Sequence, residues 1–344
     1  MSTKETISAT VSRKAAKIDA LQAAYTLVGD DFAAVNALIP AKLTSDVNLV
    51  RDVSTYIVES GGKRLRPLLV LLTAGALEYD GDAHISLAAV IEFLHTATLL
   101  HDDVVDQSGK RRGRLTANEK WGNAPSVLVG DFLYSRAFQL MVEIGKLDIM
   151  AVLSRATNTI AEGEVLQLSN IGNLSLTESA YKEVIRCKTA LLFEAATHTG
   201  ALISSSPSHR NPQSVEAMRQ FGMHFGMAYQ LIDDSLDYAG DSKTLGKELG
   251  DDLAEGKLTL PLIHALNQAT PQDKAKIEQA IQEKDNSNLE EIVDLLERTG
   301  ALKYTLDAAL EHTTLALNCL DKLDPNPYIT ALRQIATYST QRVS

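Results

Sequence analysis

Apolar and polar positions recur along this chain with a helical period. Over 47–59, Val47, Leu49, Val50, Val53, Ile57 and Val58 fall near one another at helical spacing, and Gly61-Gly62 ends the pattern. Pro67 suits the first position of a following helix, where its missing N–H leaves no bond unmade. The apolar run from there to about Leu77 reads as buried helix, with buried strand as the competing reading. From His84 to Asp106, the spacing of Leu87, Val90, Ile91, Leu94, Thr98 and Leu99 predicts another long helix, closed by the polar segment 107–114. Further helices are expected at about 124–145, 147–170, 176–203, 213–239, 258–268, 272–284, 288–299, 301–323 and 327–341. No stretch sustains a period of two between hairpin turns. The pattern therefore predicts an all-α fold, a single large bundle of antiparallel helices around a core.

Composition changes this picture only by exclusion. The formal net charge of −11 argues against a nucleic-acid partner, because phosphate-backbone binding needs a basic surface. Small phosphorylated substrates stay admissible, since a few local cations and metal ions hold them. Cys187 and Cys319 are too far apart in sequence to suggest a metal pair or a disulfide framework, so a reducing cytoplasm is expected. Lys4, Glu5, Arg13, Lys14 and Lys17 precede no apolar block, which argues against a secretory signal. The apolar run over 67–77 is too short to span a bilayer, and that over 87–100 is interrupted by Glu92 and His95. Any membrane contact is expected to be peripheral.

Two acidic clusters stand out against the apolar helices. Asp102, Asp103 and Asp106 end one helix, and Asp233, Asp234 and Asp237 repeat the same spacing much later. In a helix, Asp102 shares a face with Asp106 and Asp233 with Asp237, so each motif aims two carboxylates in one direction. Like charges at that spacing repel, more so when desolvated, and the helix dipole adds to the penalty at a C-terminus. One such cluster reads equally well as a solvated acidic face. Two, each following an apolar stretch, point to a shared multivalent cation, and Mg²⁺ suits carboxylates that share their ion with phosphate oxygens. Neither motif has the glycine turn of a calcium loop. A carboxylate di-iron bundle would need a second Glu-x-x-His pair besides Glu92 and His95.

Basic residues are placed to meet such a diphosphate. Lys63, Arg64 and Arg66 sit between two helices beside Gly61-Gly62, where backbone approach is easy and a helix N-terminus is electropositive. Lys110, Arg111 and Arg112 follow the first acidic cluster, and Arg suits bidentate phosphate contact. Lys188-Thr189 lies in an apolar helix, and Lys247 and Lys257 follow the second cluster. Taken singly, each is as well explained by a basic turn, a snorkelling lysine or a surface ion pair.

Together the segments GGKRLRP, LLHDDVVD, RRG, GDFLYSRAF, AEGEVLQL, CKTALLFEAA, YQLIDDSLDY and GDDLAEGKLTLP resemble the trans-isoprenyl diphosphate synthase family. The likeness runs from about residue 40 to the C-terminus, with flanks most similar to the bacterial octaprenyl members. It implies an isoprenoid-synthase bundle with a central active-site cavity, residues 41–344 as the catalytic domain and 1–40 as an extension or first helix. It implies prenyl transfer from an allylic diphosphate, such as farnesyl diphosphate, to isopentenyl diphosphate, by a homodimer. The six aspartates would hold Mg²⁺, three ions with substrate bound, Asp102, Asp106 and Asp233 being the metal ligands singled out. Arg111, Lys188, Thr189, Gln230, Lys247 and Lys257 would contact the allylic diphosphate. Lys63, Arg66, His95 and Arg112 would receive isopentenyl diphosphate, and Gln167 would lie near the reacting carbons. Ser235 stands where a hydrophobic residue is common in the family.

Family members with short products carry bulky aromatics just upstream of the first aspartate cluster. Here those positions are Ala97 and Thr98, expected to face the cavity one turn from Asp102 and leave it open to a product of about octaprenyl length, such as a quinone side chain. Ala97→Phe is accordingly expected to shorten the product, unless other side chains such as Phe138 or Met141 supply the floor. A class I terpene cyclase is the nearest rival, but it has no need of a second diphosphate site. A non-catalytic partner subunit would be expected to have lost the acidic motifs.

Overall fold

The computed structural model describes residues 21–204, 211–239 and 249–340. Sixteen helices account for nearly all of its regular structure among these residues. They are α1 (Gly29–Lys42), α2 (Asn48–Glu59), α3 (Leu65–Ala76), α4 (Ala83–Val105), α5 (Ala117–Trp121), α6 (Asn123–Ile144), α7 (Leu147–Ser169) and α8 (Glu178–Ile185). After a π-helical turn (Arg186–Ala190) come α9 (Leu191–Ile203), α10 (Pro212–Ala239), α11 (Asp251–Ala254), α12 (Leu260–Gln268), α13 (Pro271–Glu283), α14 (Leu289–Arg298), α15 (Ala301–Leu320) and α16 (Pro327–Thr340). The all-α expectation holds, and most boundaries fall within two residues of those expected from periodicity.

The central helix is α4. Leu87, Val90, Ile91, Phe93 and Leu94 are fully enclosed or nearly so. At about 1.5–3 kcal/mol for each such side chain, their burial offsets the repulsion of the aspartates at the helix end. α4 is long and apolar enough to cross a membrane, yet most of it is covered by the surrounding helices. Around it pack α1, α3, α6 and α9. Val35 and Ile39 of α1 enter the same core, so this helix, from the segment expected to be an extension or first helix, is built into the bundle. A second apolar cluster joins α8, the C-terminal half of α10 and α12–α15.

Three departures from the sequence reading matter for the site. The apolar run after Pro67 is helical, but the helix starts at Leu65, so Pro67 is its third residue, still inside the first turn, where no N–H is needed. The segment 107–114, read as purely polar, contains the start of a small hairpin in which Lys110–Arg111 (β1) pairs with Arg114–Leu115 (β2). The helix expected over 176–203 is interrupted by the π turn at Arg186–Ala190, which shifts the register in which Lys188 and Thr189 emerge. Close packing accommodates that turn. A Cβ on Gly163 of α7 would lie 2.7 Å from Cys187 Cβ, and one on Gly226 of α10 would lie 2.5 Å from Ala190 Cα.

The long contact between α10 and α15 carries a histidine pair, with His224 Nδ1 3.0 Å from His312 Nδ1. Burial lowers both pKa values. That of His312 falls to about 4, with His224 and Lys182 pushing the same way and Glu311 opposing. A depressed folded-state pKa means that the unfolded chain takes up the proton first. The contribution to stability is therefore complete above 6.5, the ordinary histidine value, and is lost as pH falls towards 4. Thermal melts across that window should show a shallower decline in His312→Gln than in the parent protein; equal slopes would exclude the pair as a source of acid sensitivity.

Candidate active site

Helices α4 and α10 bring the acidic motifs to one opening. Asp102 from α4, Asp106 at its C-cap and Asp233 from α10 line a chamber of about 540 Å³. A second chamber of about 280 Å³ shares Asp102, Asp233, Lys188 and Tyr229 with the first and is also lined by Thr98, Ile160 and Leu192. Of the six motif aspartates, the three singled out as metal ligands are thus the three that open on this joint space, where Asp251 and Asp252 also lie.

The other three aspartates are turned to different work. Asp103 is fully enclosed and accepts from Arg111 Nε at 2.9 Å and Nη2 at 2.7 Å. Asp234 accepts from Gln230 Nε2 at 2.9 Å and from the Tyr181 hydroxyl. Asp237 does not share the cavity face with Asp233 as its spacing suggested. It is fully enclosed, its Oδ2 accepts the Asp252 backbone N–H at 3.1 Å, and its carbonyl accepts that of Gly250 at 2.9 Å. The reason is local: the start of α11 lies over Asp237, and its first N–H groups need acceptors outside the helix.

The predicted cations converge on the same chambers. Lys63, Arg66, His95, Arg111, Arg112, Lys188 and Lys257 all line the larger one, while Thr189 and Gln230 line the smaller. Lys247 lies outside the described residues. Gln167 lines an adjoining alcove of about 120 Å³, together with Lys188, Thr189 and Gln230. Thr98 faces the smaller chamber, but Ala97 does not face the cavity as expected. It is fully enclosed in the core and lines none of these chambers. Being five residues before Asp102 rather than four, it lies about 100° further round the helix.

Glycine geometry assembles the basic wall. Gly62 has φ 143°, and a Cβ there would lie 2.5 Å from Arg112 Nη1, so the Arg112 guanidinium rests against bare backbone. Arg112 is the first residue of the two-residue hairpin turn, with φ 53°, followed by Gly113 with φ 75°. Both values are left-handed, as the type I′ turn joining β1 to β2 requires. A non-glycine residue in that region costs roughly 1–2 kcal/mol, a strain the turn accepts to aim Arg112 inward.

Burial sets the protonation of the inner wall. Arg66 Nη1 lies 3.1 Å from His95 Nε2, and its guanidinium stacks 4.0 Å from the centre of the Phe193 ring. Desolvation lowers Arg66 only to about 10, so it stays charged near neutrality. Burial, then the neighbouring arginines Arg66, Arg111 and Arg112, keep His95 neutral. Because Arg66 is always a donor, His95 Nε2 accepts, which leaves its proton on Nδ1.

Elsewhere opposite charges close on one another. Lys257 Nζ meets Asp106 Oδ2 at 2.9 Å; Lys188 Nζ meets Glu164 Oε2 at 2.6 Å and Asp102 Oδ2 at 3.8 Å. Burial works against the Lys257 charge, but Asp106 and Glu255 hold its pKa above the ordinary lysine value. Glu164, missed by the sequence reading, is raised to about 7 by desolvation and then by Asp102, against the pull of Lys188. Its signal was the second of two glutamates within AEGEVLQL, the one a helical turn before Gln167. Tyr181 and Tyr229 likewise carry no sequence signal, and Arg64, expected only as one of three cations beside Gly61-Gly62, also lines the larger chamber.

Among the described residues, no three acidic, imidazole or thiol side chains gather closely enough to hold a metal by themselves. The groups that the two acidic motifs turn to the cavity are carboxylate oxygens, which fits a hard cation that completes its shell with phosphate oxygens and water.

This arrangement, two acidic motifs across a chamber walled by cations and continued by apolar side chains, is a site for diphosphates with hydrocarbon tails. Residues 47–298 match the polyprenyl synthetase family, and the chain belongs to it. It is 46% identical over 317 residues to octaprenyl diphosphate synthase of Escherichia coli (strain K12), an alignment that covers 92% of this chain and 97% of that one. It is 44% identical over 327 residues to the geranyl-diphosphate-specific all-trans-nonaprenyl-diphosphate synthase of Rhodobacter capsulatus, covering 95% and 99% respectively. Among solved structures, a polyprenyl synthase from Caulobacter crescentus CB15, complexed with calcium and isoprenyl diphosphate, superposes with a TM-score of 0.90 at 41% identity. That match covers 94% of this chain and 98% of the other. The protein is a prenyltransferase, a long-chain trans-polyprenyl diphosphate synthase.

Proposed function

We propose that the chain adds isopentenyl diphosphate repeatedly to an allylic starter such as farnesyl diphosphate and releases a product of octaprenyl length. The observation that carries this reading is the convergence of Asp102, Asp106 and Asp233 with two groups of cations on one chamber. The three aspartates would hold Mg²⁺, three ions with substrate bound, and the ions would neutralise the diphosphate as it leaves carbon. Arg111, Lys188 and Lys257 would hold the allylic diphosphate, with Thr189 and Gln230 alongside. Lys63, Arg66, His95 and Arg112 would hold the diphosphate of the acceptor. The Nδ1–H of neutral His95 supplies a donor there without adding another charge.

In this scheme the allylic C–O bond breaks and its electron pair leaves with diphosphate. The double bond of isopentenyl diphosphate then forms the new C–C bond, and a proton passes from the adjacent carbon to the departed diphosphate, restoring an alkene. Water would trap the cation, so the apolar patch that Leu99, Ile160 and Leu192 form beside Thr98 would serve as shelter as well as the start of the space for the tail.

The octaprenyl length draws on the Escherichia coli relative; the nonaprenyl relative at similar identity defines the competing length. Incubation with farnesyl diphosphate, isopentenyl diphosphate and Mg²⁺, followed by chromatography of the dephosphorylated products, should give a C40 alcohol. Failure to consume isopentenyl diphosphate would refute condensation, and a C45 product would refute the length.

We further place a second copy of the chain against α6 and α7, where Leu128, Val142, Leu147 and Val165 are more than half exposed. Sedimentation equilibrium should return twice the chain mass, and a monomer at micromolar concentration would refute this. Cys187 and Cys319 are both free and buried, in keeping with a reducing cytoplasm, where a quinone side chain is the destination we assign to the product.

A further inference from the structure

We propose that Tyr181 is a positioning residue for the allylic half of the reaction, and that Asp234 acts with it as a hydrogen-bond acceptor rather than as a metal ligand. The inference rests on the function proposed above.

Tyr181 is 4% exposed and Asp234 2%; both line the 120 Å³ alcove, and neither lines the two larger chambers. Asp234 Oδ2 accepts from the Tyr181 hydroxyl, and Oδ1 accepts from Gln230 Nε2 at 2.9 Å. Gln230 Oε1 in turn accepts from Thr189 Oγ1 at 2.8 Å. All three donors are oriented along the chain towards the carboxylate. The Gln230 amide therefore has one orientation, and the single Thr189 proton is committed to it. Thr189 and Gln230 line the 280 Å³ chamber, so a network rooted in Tyr181 ends at its surface.

The backbone explains why an anchor is needed there. Thr189 lies on the π turn, whose register is irregular, and Tyr181 lies on α8 just before it. Linking Tyr181 to Asp234 ties α8 to α10 on one side of the turn. The close approach of Ala190 to Gly226 ties the turn itself to the same helix. Asp233, one residue earlier and about 100° round the helix, faces the larger chamber instead. The neighbouring aspartates thus divide the work, one open to the cavity and one supporting its wall. A wall displaced by about 1 Å is enough to lose about 100-fold in rate.

Tyr181→Phe keeps the ring and removes only the donor. We expect kcat to fall about 10- to 100-fold, with the KM for isopentenyl diphosphate, the Mg²⁺ concentration at half-maximal rate and the melting temperature near those of the parent protein. Thr189→Val in both backgrounds closes a cycle. If Tyr181 acts through Thr189, the double variant is no slower than the slower single one, whereas multiplied losses, or full turnover by Tyr181→Phe, would overturn the proposal. Should Tyr181→Phe fail to fold, Asp234→Asn carries the test: slower turnover at an unchanged Mg²⁺ requirement supports the acceptor role, and a requirement raised tenfold or more overturns it. A parent protein that consumes no isopentenyl diphosphate would instead refute the underlying function.

Discussion

Asp102→Asn lowers turnover by about 1,000-fold, on the order of 4 kcal/mol in the barrier, while leaving the protein as stable as before or more so. The two halves of this expectation have one cause. Asp102 sits at the end of an apolar helix, where desolvation raises its pKa, Lys188 opposes the shift and Asp106 adds to it. A folded-state pKa above the ordinary carboxylate value means that the folded protein resists the charge. A neutral isostere relieves that resistance at neutral pH. The same charge is what a divalent ion and a leaving diphosphate would require, so stability and activity should move in opposite directions. Turnover and thermal melts measured with and without Mg²⁺ check both halves. Turnover within tenfold of the parent, or a loss of activity that tracks unfolding, would show that Asp102 is not holding the proposed ion.

The helix periods and both acidic motifs were legible because each depends on short spacing. Asp102, Asp106 and Asp233 do face one chamber, and an apolar period of 3.6 is enough to place them there. Asp237 shows the limit of that logic. Its spacing from Asp233 is right, yet a segment more than ten residues further along folds over it and claims its oxygen. Ala97 shows a related limit, since a difference of one residue along a helix separates cavity from core.

The hairpin turn was within reach. Arg112-Gly113 between short flanks is a recognisable two-residue turn, but strands of two residues are too short to show a period. The π turn had no readable signal, because Arg186–Ala190 continues the apolar pattern and only packing against Gly163 and Gly226 reveals the changed register. Tyr181 and Glu164 were overlooked because each acquires its partners from distant sequence, Asp234 in one case and Lys188 in the other.

The structure also changes which residue best tests product length. Thr98→Phe should shorten the product by several isoprene units while preserving ionisation of the starter. Thr98 lines the smaller chamber together with Ile160 and Leu192, four residues before Asp102 on the same face of α4. Its hydroxyl is already satisfied by the His95 carbonyl at 2.8 Å, so losing it leaves no cavity group without its partner. An aromatic ring would occupy the space in which a lengthening tail must lie, without displacing the carboxylates one turn away. The rate of the first condensation should therefore remain near that of the parent, with the defect confined to later additions. Ala97→Phe makes a less direct test. Its position is fully enclosed, and forcing a ring into packed core costs roughly 1–3 kcal/mol, so any product change must be read against a lower melting temperature. Chromatography of dephosphorylated products beside single-turnover rates separates these effects. An unchanged product from a folded Thr98→Phe variant would show that the tail leaves the chamber by another wall.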